Sequence, residues 1–137
     1  MSIADDQNIT VEVAPDRADT DFLSEQIYAY NVAQTGYADG RALAVFARDA
    51  AGAIIAGASG FTWGGALFIE YLWVREDLRG SGYGARLLAA AEAEGLRRGA
   101  TVALLDTHSF QAPAFYQRHG YTIYATAEDL PRGHRKF

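Results

Sequence analysis

The sequence has no cysteine among its 137 residues. This absence excludes disulfide bonds, thiolate metal ligands and a cysteine nucleophile, and it gives no sign of an oxidising compartment. No apolar run approaches the roughly 20 residues that a membrane-spanning helix needs, and the polar first ten residues resemble neither a signal peptide nor a transit peptide. We therefore expect a soluble, cytoplasmic protein with no membrane partner.

Positive charge is scarce as well. The chain carries 12 Lys and Arg against 17 Asp and Glu, a net charge of −5. Because phosphate backbones attract basic surfaces, this balance argues against nucleic acid as the main partner. It is compatible with a cationic amine substrate, although acidity often serves only solubility. The three histidines lack H-x-x-x-H spacing, so we expect no metal.

Length and hydrophobic pattern predict one domain over residues 1–137 that begins with a meander. Alternation of apolar and polar residues predicts a short strand. Apolar residues at helical spacing, preceded by residues that can cap a helix, then predict a helix. Three further strand-like runs are separated by turn residues, including Gly64-Gly65. The predicted elements are a strand at 9–13, a helix at 20–30, and strands at Arg41–Arg48, 54–62 and Ala66–Val74.

The second half of the chain changes character. Helical and strand-like segments now alternate, and Pro113 fits the start of a helix that Gly120 ends. A strand, a helix and a strand within about 35 residues indicate a right-handed parallel crossover. We therefore predict an α/β (α+β) fold with a mixed, mostly antiparallel sheet flanked by helices. The predicted elements are a helix at 84–98, a strand at 101–106, a helix at 112–118 and a strand at 121–127.

The segment between the third long strand and the next helix contains three glycines. Gly80, Gly82 and Gly84 let the backbone turn tightly, and the free N–H groups at a helix start point at an anion. The helix dipole adds positive potential, and Arg79 can supply a fixed charge to phosphate. The segment therefore predicts pyrophosphate binding.

Two other interpretations of this segment are weaker. Gly80, Gly82 and Ala85 satisfy the dinucleotide pattern G-x-G-x-x-A, but that pattern follows the first strand of a parallel unit. Here the preceding strands are antiparallel, and the chain is too short for two mononucleotide halves. A Walker A loop is excluded because no Gly-Lys-Ser/Thr follows. A glycine turn without any ligand is the remaining alternative.

Arg79-x-x-Gly82-x-Gly84 after a strand ending at Val74 resembles the coenzyme A signature of the GNAT N-acetyltransferase superfamily, V-x-P-x-x-R/Q-x-x-G-x-G/A. Glu76 stands where that signature commonly has proline. A second segment, residues 109–121, resembles the family pattern N-x-x-A-x-x-L/F-Y-x-x-x-G-F/Y, with Ser109 in place of asparagine. The order and separation of the two segments also match the family. More narrowly, residues 105–106, 109–113 and 131–134 resemble a group of short bacterial GNAT proteins of unassigned substrate.

The resemblance implies the GNAT acyl-CoA N-acyltransferase fold, with a splay between its fourth and fifth strands. It implies that acetyl-CoA is the cosubstrate and that the pantetheine arm pairs with the fourth strand. An N–H near Val74 would then polarise the thioester carbonyl. Of a seventh strand, only residues 135–137 are present. The cofactor-binding residues implied are Leu72, Trp73, Val74, Arg79, Gly80, Ser81, Gly82, Tyr83, Gly84, Ala85 and Ser109.

Acetyl transfer requires a proton donor for the leaving thiolate and a base for the amine. Tyr116, at the family's offset from Gly120, is our candidate acid because a tyrosine hydroxyl stays protonated at neutral pH. Glu70 is our candidate base, acting through a water. Its position four residues before Val74 predicts that both side chains lie on one face of the sheet. His108 and Asp106 are alternative bases.

These features predict an acetyl-CoA-dependent N-acetyltransferase in which a primary amine attacks the thioester directly, because Ser109 lacks the context of a serine nucleophile. A small-molecule amine is the favoured acceptor. The alternatives are a protein N-terminus or lysine, and a non-catalytic acyl-CoA-binding regulatory module. A homodimer is possible by analogy with the family.

Overall fold

The computed structural model describes residues 8–137. The chain divides into two units, one ending at Tyr37 and the other spanning Ala38–Phe137. The helices are α1 (Arg17–Thr35), α2 (Tyr83–Arg97) and α3 (Pro113–Arg118), and the strands are β1 (Arg41–Arg48), β2 (Ile54–Trp63), β3 (Ala66–Val74), β4 (Val102–Leu105), β5 (Ala127–Glu128) and β6 (Arg135–Lys136). The single domain over residues 1–137 stays a prediction.

The first unit contains α1, which is longer than the predicted helix at 20–30. Asp16 caps it by accepting a hydrogen bond from the amide of Ala18, and Gly36 ends it in the left-handed conformation. The predicted strand at 9–13 is wrong: this segment has no regular structure, and Val11 is 91% exposed. An alternating pattern forms a strand only where a neighbouring strand supplies ladder hydrogen bonds, and β1 pairs only with β2 among the described strands.

The second unit contains a four-stranded sheet in the order β1-β2-β3-β4. The strands β1, β2 and β3 are antiparallel to their neighbours, and β4 lies parallel to β3. The predicted meander, turn at Gly64-Gly65 and parallel crossover are therefore confirmed. Since residues 9–13 form no strand, the fourth and fifth strands of the family correspond to β3 and β4.

One face of the sheet packs against α2 and forms the core. Leu67 and Ile69 of β3 contact Leu88 and Ala91 of α2 in one buried cluster. The C-terminal end of α2 is held by Arg98, whose guanidinium donates to the carbonyl oxygens of Arg41 and Ala42 on β1. The packing therefore fixes where α2 begins and ends relative to β3.

The predicted strand at 121–127 is mostly wrong. Only Ala127–Glu128 pairs, with Arg135–Lys136, while residues 121–126 have no ladder partner among the residues described. Their alternation of apolar and polar residues is strand-like, but a cavity of about 440 Å³ lies between Tyr121–Tyr124 and β4. Within residues 8–137, no helix is both long and apolar enough to cross a membrane.

Candidate active site

The connection between β3 and α2 forms the first part of the site. A short 3₁₀ turn, Glu76–Leu78, follows β3, and α2 then begins at Tyr83. Between them, Gly80 and Gly82 adopt positive φ angles of 79° and 91°, a conformation that side chains with a Cβ rarely adopt. The turn is anchored by Arg79, whose Nε donates to the carbonyl oxygen of Val74 over 3.0 Å.

The amides of this turn are not used by the protein. Gly82 caps α2 without a side-chain hydrogen bond, and the first helical bond runs from the amide of Arg86 to the carbonyl of Gly82. In the described chain, the backbone N–H groups of residues 80–85 have no protein acceptor. Buried or ligand-facing amides that lack a protein partner are typical of an anion site at a helix N-terminus.

Space and charge around the turn suit an anion. A Cβ placed on Gly80 or Gly82 would meet no atom within 4 Å, so the backbone is open to a ligand. Arg79 uses its Nε for the Val74 carbonyl, and its terminal guanidinium nitrogens have no hydrogen-bond partner among the described residues. Arg75 is committed differently, because it pairs with Asp77 at 2.6 Å and 3.0 Å and thereby lowers the pKa of that carboxyl.

The predicted splay lies beside this turn. Parallel pairing of β3 with β4 covers only Ala66–Ile69 against Val102–Leu105, although β3 continues to Val74. The second half of β3 therefore has an unpaired edge toward β4 among the residues described. Leu72 and Val74 pack into the core from this half, whereas Trp73 is 47% exposed. An extended ligand could hydrogen-bond to such an edge.

Glu70 marks the start of the open half. Ser59 faces Tyr71 and Gly60 faces Ile69, so Glu70 is the extra residue of a β-bulge. Bulges break the strict alternation of strand faces, and Glu70 is exposed while Leu72 and Val74 pack inward. The prediction that Glu70 and Val74 share a sheet face is therefore wrong, and the carboxylate is not buried.

Tyr116 lies on α3. Its neighbour Phe115 packs 3.3 Å from the position of a Cβ on Gly84, at the start of α2. The ring of Tyr116 lies against the core beside β4 residues and meets Tyr121 edge to face at 5.9 Å. Burial raises the pKa of the Tyr116 hydroxyl, which keeps it protonated at neutral pH.

Ser109 contacts the C-terminal segment. Its amide donates to the carbonyl of Arg135, and its Oγ accepts from the amide of Arg135 over 3.0 Å. The hydroxyl is thus engaged by the C-terminal segment, and Ser109 lines a shallow hollow with Glu128 and His134. Its contact with pantetheine stays a prediction.

Two features of the site were missed from the sequence. Tyr121 carries the one buried side-chain polar atom without a partner in the described residues, and burial, with Glu92 and Tyr116 nearby, raises its pKa to about 12. Gln111 places its Oε1 within hydrogen-bond distance of both the backbone amide and the ring of His108. A glutamine three residues after a histidine was the available signal for the second feature.

Comparisons with known proteins agree with this geometry. Residues 39–123 match the family described as Acetyltransferase (GNAT) domain. The chain is 34% identical over 111 residues to the Acetyltransferase Atu2258 of Agrobacterium fabrum, covering 81% of each protein. A crystal structure of a putative acetyltransferase from Agrobacterium tumefaciens has a TM-score of 0.87 and 31% identity, with 95% of both chains covered.

A third relative has a more specific name. The chain is 44% identical over 68 residues to the Blasticidin-S acetyltransferase of Streptomyces morookaense. The aligned region covers 49% of this chain and 50% of that protein. The expectation of a bacterial acetyltransferase type without an assigned substrate is confirmed by the Agrobacterium relatives. The chain therefore belongs to the GNAT family of acetyl-CoA-dependent N-acetyltransferases.

Proposed function

We propose that this protein transfers the acetyl group of acetyl-CoA to the primary amine of a small molecule by direct attack of the amine. The observation that carries the proposal is the set of backbone amides at residues 80–85, which lack a protein acceptor in the part of the chain described. Because they open onto unfilled space at the positive end of α2, a diphosphate is the group that suits them.

The remaining contacts to the cosubstrate follow the open half of β3. Residues 72–74 offer an unpaired strand edge to an extended arm, and Arg79 offers a cation to phosphate. Ser109 completes the proposed set, with its hydroxyl hydrogen available to donate. When bound, acetyl-CoA supplies an activated acetyl thioester. The N–H groups near Val74 are proposed to polarise its carbonyl.

Two side chains are proposed to handle protons. Tyr116 is proposed to donate the proton of its hydroxyl to the departing sulfur. Its raised pKa keeps the hydroxyl protonated at neutral pH until then. Glu70 is exposed at the start of the open half of β3. We assign its carboxylate to hold the acceptor ammonium and the water through which that ammonium loses its proton.

The acceptor class is supported by composition and by one relative. A net charge of −5 favours a cationic acceptor, and the relative named Blasticidin-S acetyltransferase acts, by that name, on a small molecule. A protein N-terminus or lysine is the alternative acceptor. A cytoplasmic location and a homodimer belong to the same proposal.

An amine panel tests the proposal. Blasticidin S, other cationic antibiotics, polyamines and amino-terminal peptides would be mixed with acetyl-CoA while release of free thiol is followed. We expect turnover with one or more small amines and little with peptides. Turnover with peptides alone would show that the acceptor is a protein N-terminus or lysine and not a small molecule. Acetyl-CoA binding without turnover of any amine would favour a regulatory acyl-CoA-binding module.

A further inference from the structure

His108 follows β4 and lies on the face of the sheet opposite α2. Ala103 and Leu105 of β4 pack toward α2, whereas Val102 is 50% exposed on the opposite face. The chain stays extended beyond β4, because Thr107 exchanges two backbone hydrogen bonds with Phe137. Thr107 is buried, so the alternation of an extended strand directs His108 to the face opposite α2.

The hydrogen bonds of Gln111 fix the proton on this histidine. The side-chain atom of Gln111 that lies 2.7 Å from the backbone N of His108 must be an oxygen, because a backbone N–H only donates. The same oxygen lies 3.0 Å from Nδ1 of His108. Nδ1 must therefore carry the hydrogen, which leaves the lone pair of the neutral ring on Nε2.

The surroundings leave Nε2 available. The ring of His108 has no further hydrogen-bond partner among residues 8–137, and it stacks on Phe110 at 5.2 Å. The charged groups nearby are Asp106 and Lys136, which pair with each other at 3.4 Å. His134 packs edge to face with Phe110, with the ring centroids 5.0 Å apart. Neither carboxylate nor ammonium is directed to Nε2 by these contacts.

We infer that His108 is a further catalytic residue of the proposed reaction and that Gln111 is its positioning residue. This inference rests on the proposed function. A water held by Glu70 relays one proton from the acceptor ammonium to Nε2 of His108, and the freed nitrogen lone pair forms the new C–N bond to the thioester carbonyl carbon. As the C–S bond breaks, the leaving sulfur takes the proton of Tyr116, and the second proton lost by the attacking nitrogen restores the Tyr116 hydroxyl. The neutral imidazole accepts this proton on the lone pair of Nε2 while Nδ1–H stays bonded to Gln111.

Matched substitutions separate this role from a structural one. His108→Asn keeps an N–H that can donate to Gln111 and removes Nε2. We expect kcat to fall about 10²-fold with unchanged acetyl-CoA affinity. His119→Asn is the control, since Nδ1 of His119 likewise bonds a fixed oxygen, the Phe115 carbonyl at 2.7 Å; it should keep wild-type turnover. Glu70→Gln should mainly raise the KM of the amine, because it weakens ammonium binding.

The ring tautomer provides a readout that needs no substrate. Long-range ¹H–¹⁵N spectra of histidine-labelled protein, assigned with His108→Asn, should show His108 protonated on Nδ1. Gln111→Met should abolish that preference and lower kcat about tenfold, and Gln111→Glu, which keeps an acceptor oxygen, should restore the Nδ1–H signal.

An Nε2–H tautomer in the wild type, or wild-type kcat in His108→Asn, would overturn the inference. Failure of the proposed function looks different. If no amine is acetylated while acetyl-CoA still binds, the catalytic role of His108 falls with that function, even though the tautomer is as expected.

Discussion

Two glycine turns in this chain share a backbone conformation but differ in what their amides do. At the β2–β3 hairpin, Gly64 and Gly65 have φ angles of 58° and 88°, and the turn before α2 has 79° and 91° at Gly80 and Gly82. The amide of Gly64 donates to Asp39, and the carbonyl of Gly65 accepts from Thr101. The first turn is therefore bonded into the fold, whereas the amides of the second have no protein acceptor among the described residues.

Positive φ angles alone thus do not identify a ligand site. The discriminating observation is whether the protein satisfies the polar groups of the turn. The same contrast separates the ends of α2. At its C-terminal end, the amide of Arg98 bonds the Glu94 carbonyl and the side chain of Arg98 bonds β1. At its N-terminal end, the amides of residues 83–85 have no protein acceptor within the described chain.

The largest expected effect comes from Gly82→Asp. A carboxylate at this position would repel a diphosphate and fill the open space, and like-charge contacts cost several kcal/mol. We expect acetyl-CoA affinity to fall by about 10³-fold or more. The matched control is Gly65→Asp, which puts the same side chain on the hairpin turn and should bind acetyl-CoA normally. Calorimetry on both folded variants compares them, and equal affinities would remove the distinction between the turns.

Gly60→Ala tests a glycine that is required by packing alone. A Cβ there would lie 1.8 Å from the carbonyl oxygen of Phe68, so the bulge must open. We expect unfolding free energy to fall by about 3 kcal/mol or more. Gly57→Ala meets the movable ring of Phe46 at 2.9 Å and should cost about 1 kcal/mol. Denaturant titration measures both, and similar losses would argue against a tight bulge.

Two adjacent tyrosines extend the comparison to side chains. Tyr116→Phe should lower kcat about 10²-fold without changing acetyl-CoA affinity, because it removes the proposed acid. Tyr121→Phe removes a buried hydroxyl that has no partner in the described residues. It should retain kcat and raise the free energy of unfolding by about 1 kcal/mol. Steady-state kinetics would contradict these roles if Tyr116→Phe turned over normally.

The smallest effect is expected at the C-terminal end of α2. Hydrogen bonds from Arg97 and Arg98 lower the pKa of Glu94 from its ordinary value of 4.5. A lowered folded-state pKa gives stability that is present above the ordinary value and is lost as the pH falls through the lowered one. Thermal unfolding should therefore separate wild type from Glu94→Gln at pH 7, with the gap closing as the pH falls below the ordinary pKa and through the lowered one. A gap independent of pH would show that charge is not its cause.

The sheet, α2 and the glycine turn before α2 could be predicted from the sequence because local signals specify them. Hairpin glycines, apolar alternation and the loop after Val74 each act within a few residues. It failed at residues 9–13 and 121–126, where strand formation depends on a partner strand and not on propensity. The bulge at Glu70 was missed for a similar reason, because it arises from Gly60 on the neighbouring strand.

The site was predicted in the same uneven way. The glycine turn and Tyr116 could be selected because they belong to motifs with fixed spacing, and their roles stay predictions. The link between Gln111 and His108 required coordinates, because the orientation of a side-chain amide follows from the groups that face it. The exposure of Glu70 was likewise invisible until the bulge was known.

An amide-resolved titration tests the central claim most directly. Adding acetyl-CoA to ¹⁵N-labelled protein should shift the amide signals of residues 80–85 strongly, because their hydrogens gain phosphate acceptors, while the signals of Gly64 and Gly65 stay in place. If the amides of residues 80–85 did not move at saturating acetyl-CoA, the diphosphate would lie elsewhere and the account of this site would be wrong.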